Sequence, residues 1–416
     1  MRAMSRPLTR EDVDSLDQED ELAYLRDAFV LPDDVVYLDG NSLGALPIRA
    51  VKRLGTLVEE EWGQGLVRSW NDSGWIELPE LVATALAPLL GASPDEVAVG
   101  DSTSVNLFKL LAGATRLRPD RPLILSEKGN FPTDLYVAQG VARTLGGLEL
   151  RLVERSGIAA ALDDRVAVLL LTHVDFRTGE TQDIPGLTAA AHEAGALALW
   201  DLSHSAGALS LELDAWGVDL AVGSGYKYLN GGPGAPAFAF VARHLHDAIE
   251  TPLQGWMGHA EPFAFEEEYR PAPGVARLLC GTPSILGLTA LKCGIESVAR
   301  AGIEPLRQKS IRLTDVFIQL VEQECAGQGL VLASPGEAAR RGSHVSYLHP
   351  EGHAIVQALV GHRVIGDFRQ PDILRFGFAP AYIRFVDVWE AVAALRAVME
   401  SREWDRPEHR QPAVVT

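Results

Sequence analysis

The chain has 416 residues, enough to bury a large hydrophobic core and, by length, to form two or three domains. Its composition, with 47% hydrophobic and 22% charged residues, is that of a globular protein. The 37 Lys and Arg residues against 56 Asp and Glu give a formal net charge of −19, which argues against nucleic acid as a partner and favours a small-molecule substrate.

The cysteines and the N-terminus give a first indication of where the protein works. Cys280, Cys293 and Cys325 contain no CxxC pair and are odd in number, so neither a disulfide framework nor a cysteine metal site is indicated. The first 25 residues are rich in charged residues and contain no apolar run of the kind that signal peptides have, and no apolar run of the chain approaches the roughly 20 residues of a membrane helix. We therefore expect a cytoplasmic protein, neither secreted nor membrane-bound.

From about residue 95 to 245, short β-rich runs alternate with helix-like segments. The runs are EVAVG, PLILSE, VAVLLLTH, LALWD, DLAVGSG and APAFAFVA. Continuous apolar strands separated by helices predict an α/β fold with a mostly parallel sheet that is covered on both faces. Ligands of such sheets bind beyond the carboxyl ends of the strands, so polar residues at those positions are the first candidates for function.

Beyond about residue 283, the pattern changes to two long helical stretches followed by short strands and further helices. This pattern predicts a smaller α+β domain, which the N-terminal segment joins. The predicted organisation is an N-terminal segment, 1–45, that contributes to the small domain, a large domain, 46–282, and a small C-terminal domain, 283–416.

The segment GDSTSVNLF places three hydroxyl residues between a predicted strand and a predicted helix. At such a junction, free backbone N–H groups and the hydroxyls of Ser102, Thr103 and Ser104 can hold a phosphate. The alternative is that one of the three is only the N-cap of the helix.

Two further segments put ionisable residues at strand ends. WDLSHSAG places Asp201 at the end of LALWD and His204 three residues later, where each could instead make a structural hydrogen bond. SGYKYLNGGPG places Tyr226 and Lys227 directly after an apolar strand. Because a lysine ammonium prefers water, this position suggests an amine that is held out of bulk solvent.

Together these segments supply what pyridoxal 5′-phosphate (PLP) requires. A helix N-terminus can bind the phosphate, an acid can pair with the pyridine nitrogen, and a lysine can form a Schiff base with the aldehyde. The acid and the lysine, Asp201 and Lys227, lie 26 residues apart, each at a strand end.

Longer motifs along nearly the whole chain resemble those of the kynureninase family. They are YLDGNSLGALP, EEWGQGLVRSWNDSGW, NFPTDLY, LTHVDFRTG, WDLSHSAGA, YKYLNGGPGAPAF, GWMGH and RGSHVSYLHPEG. The resemblance implies a fold-type I PLP enzyme related to class V aminotransferases. It further implies a homodimer with shared active sites that hydrolyses L-kynurenine in tryptophan degradation. 3-Hydroxykynurenine is a possible second substrate.

The resemblance also implies roles for individual residues. Lys227 would be the Schiff-base lysine, Asp201 the partner of the pyridine nitrogen, and Tyr226 a phosphate ligand. Independently of the resemblance, Tyr226 is the candidate acid that protonates Cβ, by itself or through the phosphate. The remaining cofactor neighbours would be Ser102, Thr103, Phe131 (stacked on the ring), Pro132, Thr133, Asp134, Thr172 and His204, with Trp256 and Thr282 from the other subunit. Ser102 stands where a threonine is common in bacterial members.

Substrate binding is assigned to two further residues. In ILRFGFAP, Arg375 resembles the clamp for the substrate α-carboxylate, for which a planar guanidinium fork is suited. The alternative is a surface ion pair. Trp70, with Trp62 and Trp75, could line an aryl pocket, although aromatic residues beside helical patterns often belong to the core.

A cysteine desulfurase or selenocysteine lyase is the alternative function. Those enzymes need a mobile nucleophilic cysteine near the site, whereas Cys325 lies in a helix-like segment and Cys280 has the character of a small packed residue. A non-catalytic protein of the same fold is a different class of alternative; such proteins lose the lysine or the acid, and both are present here.

Overall fold

The computed structural model describes residues 6–411. Its α-helices are α1 (Arg10–Gln18), α2 (Ile48–Thr56), α3 (Ser69–Asp72), α4 (Leu78–Leu90), α5 (Thr103–Arg116), α6 (Pro132–Leu145), α7 (Ile158–Ala161), α8 (Ile184–Glu193), α9 (Ile285–Ala299), α10 (Ile303–Glu324), α11 (Gly352–Gly361) and α12 (Phe385–Ser401).

The strands of the same residues are short. In chain order they are β1 (Phe29–Val30), β2 (Val36–Tyr37), β3 (Leu46–Pro47), β4 (Val97–Val99), β5 (Leu123–Glu127), β6 (Glu149–Val153), β7 (Val166–Thr172), β8 (Leu197–Asp201), β9 (Leu220–Gly223), β10 (Phe238–Val241), β11 (Val331–Leu332), β12 (His344–Leu348), β13 (Val364–Ile365), β14 (Asp367–Arg369) and β15 (Ile373–Gly377).

The centre of the large domain is a seven-stranded sheet in the order β4-β10-β9-β8-β7-β5-β6. Strands β5 to β9 pair in parallel, and β10 is antiparallel to both of its neighbours. Alternate residues of β7 enter different cores: Leu169 and Leu171 face one, Val168 and Leu170 the other. The predicted mostly parallel sheet, covered on both faces, is confirmed.

The register of this sheet brings distant residues together at its carboxyl edge. Thr172, the last residue of β7, pairs with Asp201, the last residue of β8, and Asp201 pairs with Val222 of β9. Lys227 follows β9 by four residues. Because parallel strands end at the same edge, these polar residues share one site although they are far apart in the chain.

The C-terminal part forms a separate four-stranded sheet in the order β11-β12-β15-β14. The N-terminal segment is attached to it: β2 pairs in parallel with β13, Asp39 forms a bridge with Gly377, and α1 packs on α12. Residues 36–42 therefore lie against β13, β14 and β15.

A π-helical segment, Leu57–Gly65, continues α2 and ends where Leu66 takes a φ of +53°. Its Trp62 side chain is 54% exposed. Within residues 6–411, no helix is both long enough and apolar enough to cross a membrane.

Candidate active site

Lys227 places its amine in a cavity of about 260 Å³ at the carboxyl edge of the large sheet. Its Nζ lies 3.2 Å from His204 Nε2, and 6.0 Å and 5.8 Å from the ring centres of Phe131 and Tyr226. Although the residue is partly exposed, its amine is enclosed, and this burial lowers the lysine pKa to about 8 against the opposing effect of Asp201. The amine is therefore easier to deprotonate than an ordinary lysine.

Two buried carboxyl groups, Asp134 and Asp201, face this amine. Asp134 lies in the first turn of α6 with its Oδ2 3.1 Å from Thr172 Oγ1, and Asp201 accepts from the Ser203 N–H at 2.7 Å. Burial and the neighbouring Asp201 raise the pKa of Asp134 well above its usual range, and burial raises the pKa of Asp201 as well. Both carboxyls are therefore easier to protonate than ordinary aspartates, and the effect is stronger at Asp134.

His204 is fully enclosed between the lysine and the N-terminal segment. Its Nε2 lies 3.2 Å from the Asn41 carbonyl oxygen as well as from Lys227 Nζ. Burial, and then the charge of Lys227, lower the pKa of His204 well below its ordinary value. The imidazole is therefore neutral at physiological pH and positions the lysine without adding charge.

The expected phosphate cradle lies at the N-terminus of α5. Ser102 is the N-cap of this helix, and its hydroxyl accepts from the Val105 N–H at 3.3 Å, so the N-cap alternative describes its role in the fold. Because the Ser102 hydroxyl takes up only the Val105 N–H, the earlier N–H groups of the first turn remain available for an anion. Thr103, the first residue of the helix, lines the same cavity.

The residues of this cavity fit PLP. The helix N-terminus suits a phosphate, and the ring of Phe131 suits stacking with another ring. Two buried acids, Asp134 and Asp201, face the single amine of Lys227, and this excess of acids suits a cationic pyridinium. The lining contains most of the predicted cofactor neighbours, namely Ser102, Thr103, Phe131, Thr133, Asp134, Thr172, Asp201, His204, Tyr226 and Lys227; Pro132 is the first residue of α6.

Three other predicted residues lie differently. Thr282 lines an adjoining cleft of about 400 Å³ that shares Ser102, Thr103 and Tyr226 with the cavity. Trp256 lines neither space and is 40% exposed. Trp70 lines neither and packs edge-on against Trp75, with ring centres 5.7 Å apart. One chain alone therefore does not bring Trp70 or Trp256 to the cofactor cavity.

Arg375, the predicted carboxylate clamp, lies in β15 and is only 1% exposed. Its guanidinium forms a bidentate ion pair with Asp367 and donates to the Phe176 carbonyl oxygen at 2.6 Å. Phe176 lines the cofactor cavity, so Arg375 borders the site. The surface ion-pair alternative does not describe this geometry because the pair is buried.

Several polar residues that hold the site in place were not predicted from the sequence. Asn130 accepts from Thr172 Oγ1 at 2.5 Å and from the Phe131 N–H at 2.7 Å, so it fixes the turn before α6. It is the first residue of NFPTDLY and could have been found there. Arg369 and Asp367 are also among these residues; their only sequence signal was a charged pair in a predicted strand.

The chain was compared with known proteins. A family model described as the kynureninase C-terminal domain matches residues 306–395. Kynureninases from Burkholderia mallei and Pseudomonas fluorescens are 50% and 49% identical to the chain over 414 residues, which is 98% of this chain and 100% of each relative.

Solved structures of lower identity share the fold. A mutant of C-DES with glycine covalently linked to its PLP cofactor has a TM-score of 0.79 at 19% identity, covering 89% of this chain and 98% of that one. A cysteine desulfurase from Escherichia coli has a TM-score of 0.77 at 18% identity, covering 92% and 99%. The predicted fold-type I PLP architecture is confirmed. The full-length identity of about one half to kynureninases, far above that to the desulfurases, establishes that the chain belongs to the kynureninase family.

Proposed function

We propose that the chain uses PLP to hydrolyse the Cβ–Cγ bond of L-kynurenine, giving anthranilate and L-alanine. The observation that carries this proposal is the enclosed Lys227 amine beside the buried Asp201, in a chain that is 50% identical to kynureninases along its length. The expected wider setting is tryptophan degradation in a reducing cytoplasm, which the free thiols of Cys280, Cys293 and Cys325 support.

The residues of the cavity divide the work of holding the cofactor. The N-terminus of α5, Thr103 and Tyr226 would bind the phosphate, Phe131 would stack on the ring, and the negative charge on Asp201 would keep the pyridine nitrogen protonated. When bound, PLP supplies an electron sink for a carbanion formed on the substrate.

Proton transfer is assigned to Lys227 and Tyr226. With its pKa lowered to about 8, Lys227 is partly unprotonated at neutral pH and can remove the proton at the substrate Cα, while neutral His204 holds it in place. Burial raises the pKa of Tyr226, so its hydroxyl stays protonated and can donate to Cβ. Both groups line the cavity in which the reacting carbons would lie.

A second copy of the chain is the proposed partner. Trp256, Phe263 and Phe265 form a chain of edge-to-face rings and are 40%, 62% and 77% exposed. Exposed contiguous aromatic surface of this kind is typical of an interface. A twofold dimer would cover it and would let Trp256 and Thr282 of each chain complete the partner's phosphate site.

The cysteine desulfurase alternative requires a reactive thiolate. Burial raises the pKa of the Cys325 thiol to about 11, and burial also raises the pKa of Cys280, the one cysteine that lines the cleft beside Thr282. Both thiols are therefore protonated at neutral pH, which disfavours this chemistry.

The proposal is tested by the absorbance of the purified protein between 300 and 500 nm and by product formation. Adding L-kynurenine should produce anthranilate fluorescence and an equal amount of alanine, and L-cysteine should release no sulfide. A steady-state comparison with 3-hydroxykynurenine then sets the substrate preference. A protein that carries PLP but releases sulfide and no anthranilate would contradict the proposal.

A further inference from the structure

Arg375 has little hydrogen-bonding capacity left for a substrate. A guanidinium has five N–H groups. Four of them already donate. The Nε–H and one Nη2–H donate to Asp367, and the other Nη2–H donates to Ser42 Oγ at 2.9 Å. One Nη1–H donates to the Phe176 carbonyl oxygen. Turned so that its oxygen faces the guanidinium, the Asn41 amide also accepts, 3.0 Å from Nε. A bidentate clamp would therefore require Arg375 to release a partner.

A second guanidinium, that of Arg369, meets Arg375 at the same two acceptors. Arg369 ends β14, and its Nη2 donates to Asp367 Oδ2 at 2.6 Å and approaches Ser42 Oγ at 3.4 Å. The side chain is 35% exposed. Its buried Nε has no hydrogen-bond partner within residues 6–411. Arg369 is thus accessible and incompletely satisfied, whereas Arg375 is enclosed and nearly saturated.

The charges of this cluster do not balance. Arg369 and Arg375 bring two positive charges, and Arg375 holds the pKa of Asp367 below its usual range, so Asp367 supplies one negative charge. The remaining carboxyl, Asp39, is buried beside Asp367, which raises its pKa to about 7, and its Oδ1 has no partner in the described part of the chain. Asp39 is therefore only partly ionised at neutral pH, and the cluster retains part of a positive charge that an anion would neutralise.

The cluster also adjoins the reacting groups. The positive charges of Arg375 and Arg369 both act on Lys227, and that of Arg369 acts on Tyr226. Through the Phe176 carbonyl it touches the wall of the cofactor cavity. An α-carboxylate attached to a carbon within reach of Lys227 would therefore come under the positive charge of this cluster.

We propose that Arg369 is a second residue that binds the substrate α-carboxylate, with Arg375 as the enclosed member of the pair and Asp367 as the group that orients both guanidiniums. This inference rests on the proposed function. It assigns the accessible N–H groups of Arg369 to the carboxylate and leaves the Arg375–Asp367 pair in place, so no buried ion pair has to break when substrate binds.

The test compares Arg369→Gln and Arg369→Lys with the parent enzyme, using L-kynurenine as substrate and its decarboxylated analogue kynurenamine as inhibitor. Arg369→Gln should raise KM at least tenfold, with kcat within about threefold and the cofactor absorbance unchanged, and Arg369→Lys should recover part of the loss. The inhibition constant of kynurenamine, which has no carboxylate, should change less than about twofold. Arg406→Gln, which removes an exposed ion pair with Glu403, is the control and should change neither constant.

A KM for Arg369→Gln within about twofold of the parent would overturn the proposal, and so would a kynurenamine inhibition constant that rises in the same proportion as KM. If Arg375→Lys raises KM while Arg369→Gln does not, this inference alone fails. A parent enzyme that forms no anthranilate would instead contradict the proposed function, so the two failures are distinguishable.

Discussion

The cofactor cavity around Lys227 and the guanidinium cluster both contain buried charged groups, but the two regions balance charge in different ways. The guanidinium cluster consists of Arg369, Arg375, Asp367 and Asp39. In the cavity, burial moves Lys227 and Asp134 towards their neutral forms, because each lacks enough opposite charge nearby. In the cluster, Arg375 and Asp367 stay charged because they pair directly. The cavity therefore contains groups that can exchange protons, whereas the Arg375–Asp367 pair of the cluster supplies fixed charges that can help to orient an anion.

The largest expected loss of activity comes from removing the Lys227 amine from the cofactor cavity. Lys227→Ala should abolish the absorbance band of lysine-bound PLP and lower kcat by several orders of magnitude, because the covalent and proton-transferring group is lost. Spectra and anthranilate fluorescence measure both effects. A Lys227→Ala variant with full activity would contradict the assignment of the whole site.

Changing the fixed charge should affect binding more than chemistry. Arg375→Lys keeps the positive charge but loses the planar fork that pairs with Asp367 and donates to Phe176, so KM for L-kynurenine should rise at least tenfold. This corresponds to about 1.4 kcal/mol or more. The cofactor absorbance should stay normal, and an unchanged KM would place the carboxylate elsewhere.

The two regions also differ in how far sequence alone predicts them. The cavity was predictable because parallel strands end at one edge, so an acid at the end of LALWD and a lysine after DLAVG are brought close together. The cluster was only partly predictable: Arg375 was identified by resemblance, but its partner Asp367 and the accessible Arg369 depend on how β14 pairs with β15 and on the approach of Ser42 from the N-terminal segment. No local periodicity encodes such contacts between distant segments.

If the active site is shared between two subunits, the cofactor cavity depends on residues of a second chain, namely Trp256 and Thr282. The guanidinium cluster is built within one chain. Mixing inactive Lys227→Ala chains with inactive chains altered at both Trp256 and Thr282 should restore activity on partial unfolding and reassembly. Each heterodimer would contain one site with both defects and one with neither, so up to about half of the native activity per heterodimer should return by twofold symmetry.

The control for this experiment is each altered chain reassembled with itself, which should stay inactive. Heterodimers are counted by a size or charge tag on one chain. If heterodimers form but their activity never exceeds that of the two parents, each site is built within one chain, and Thr282 acts from the cleft of its own subunit.

The smallest expected effect is on the stability of the protein without PLP. The pKa of Lys227 is about 8 in the folded chain against an ordinary value of 10.5, so below pH 8 both states bind the proton and the cost of burying the charge is fully present. Between about pH 8 and 10.5 the unfolded chain binds more protons, and folding stability therefore rises with pH. Lys227→Met removes this charge. Its advantage over the parent should be on the order of 1 to 3 kcal/mol at pH 7 and should shrink towards pH 10.

Urea unfolding of the parent and the Lys227→Met protein, both without PLP, at pH 7, 8.5 and 10 measures this difference in unfolding free energy. The other titrating groups are the same in both proteins, so their contributions largely cancel. Lys128→Met is the matched control, because Lys128 is exposed and pairs only at the surface with Glu154, so its difference from the parent should stay near zero across the range. A Lys227→Met difference that stays constant or grows between pH 7 and 10 would mean that the amine is not held in an unfavourable charged state. The amine would then resemble the Arg375–Asp367 pair, with a fixed and compensated charge, and proton transfer at Cα would have to be assigned to another group.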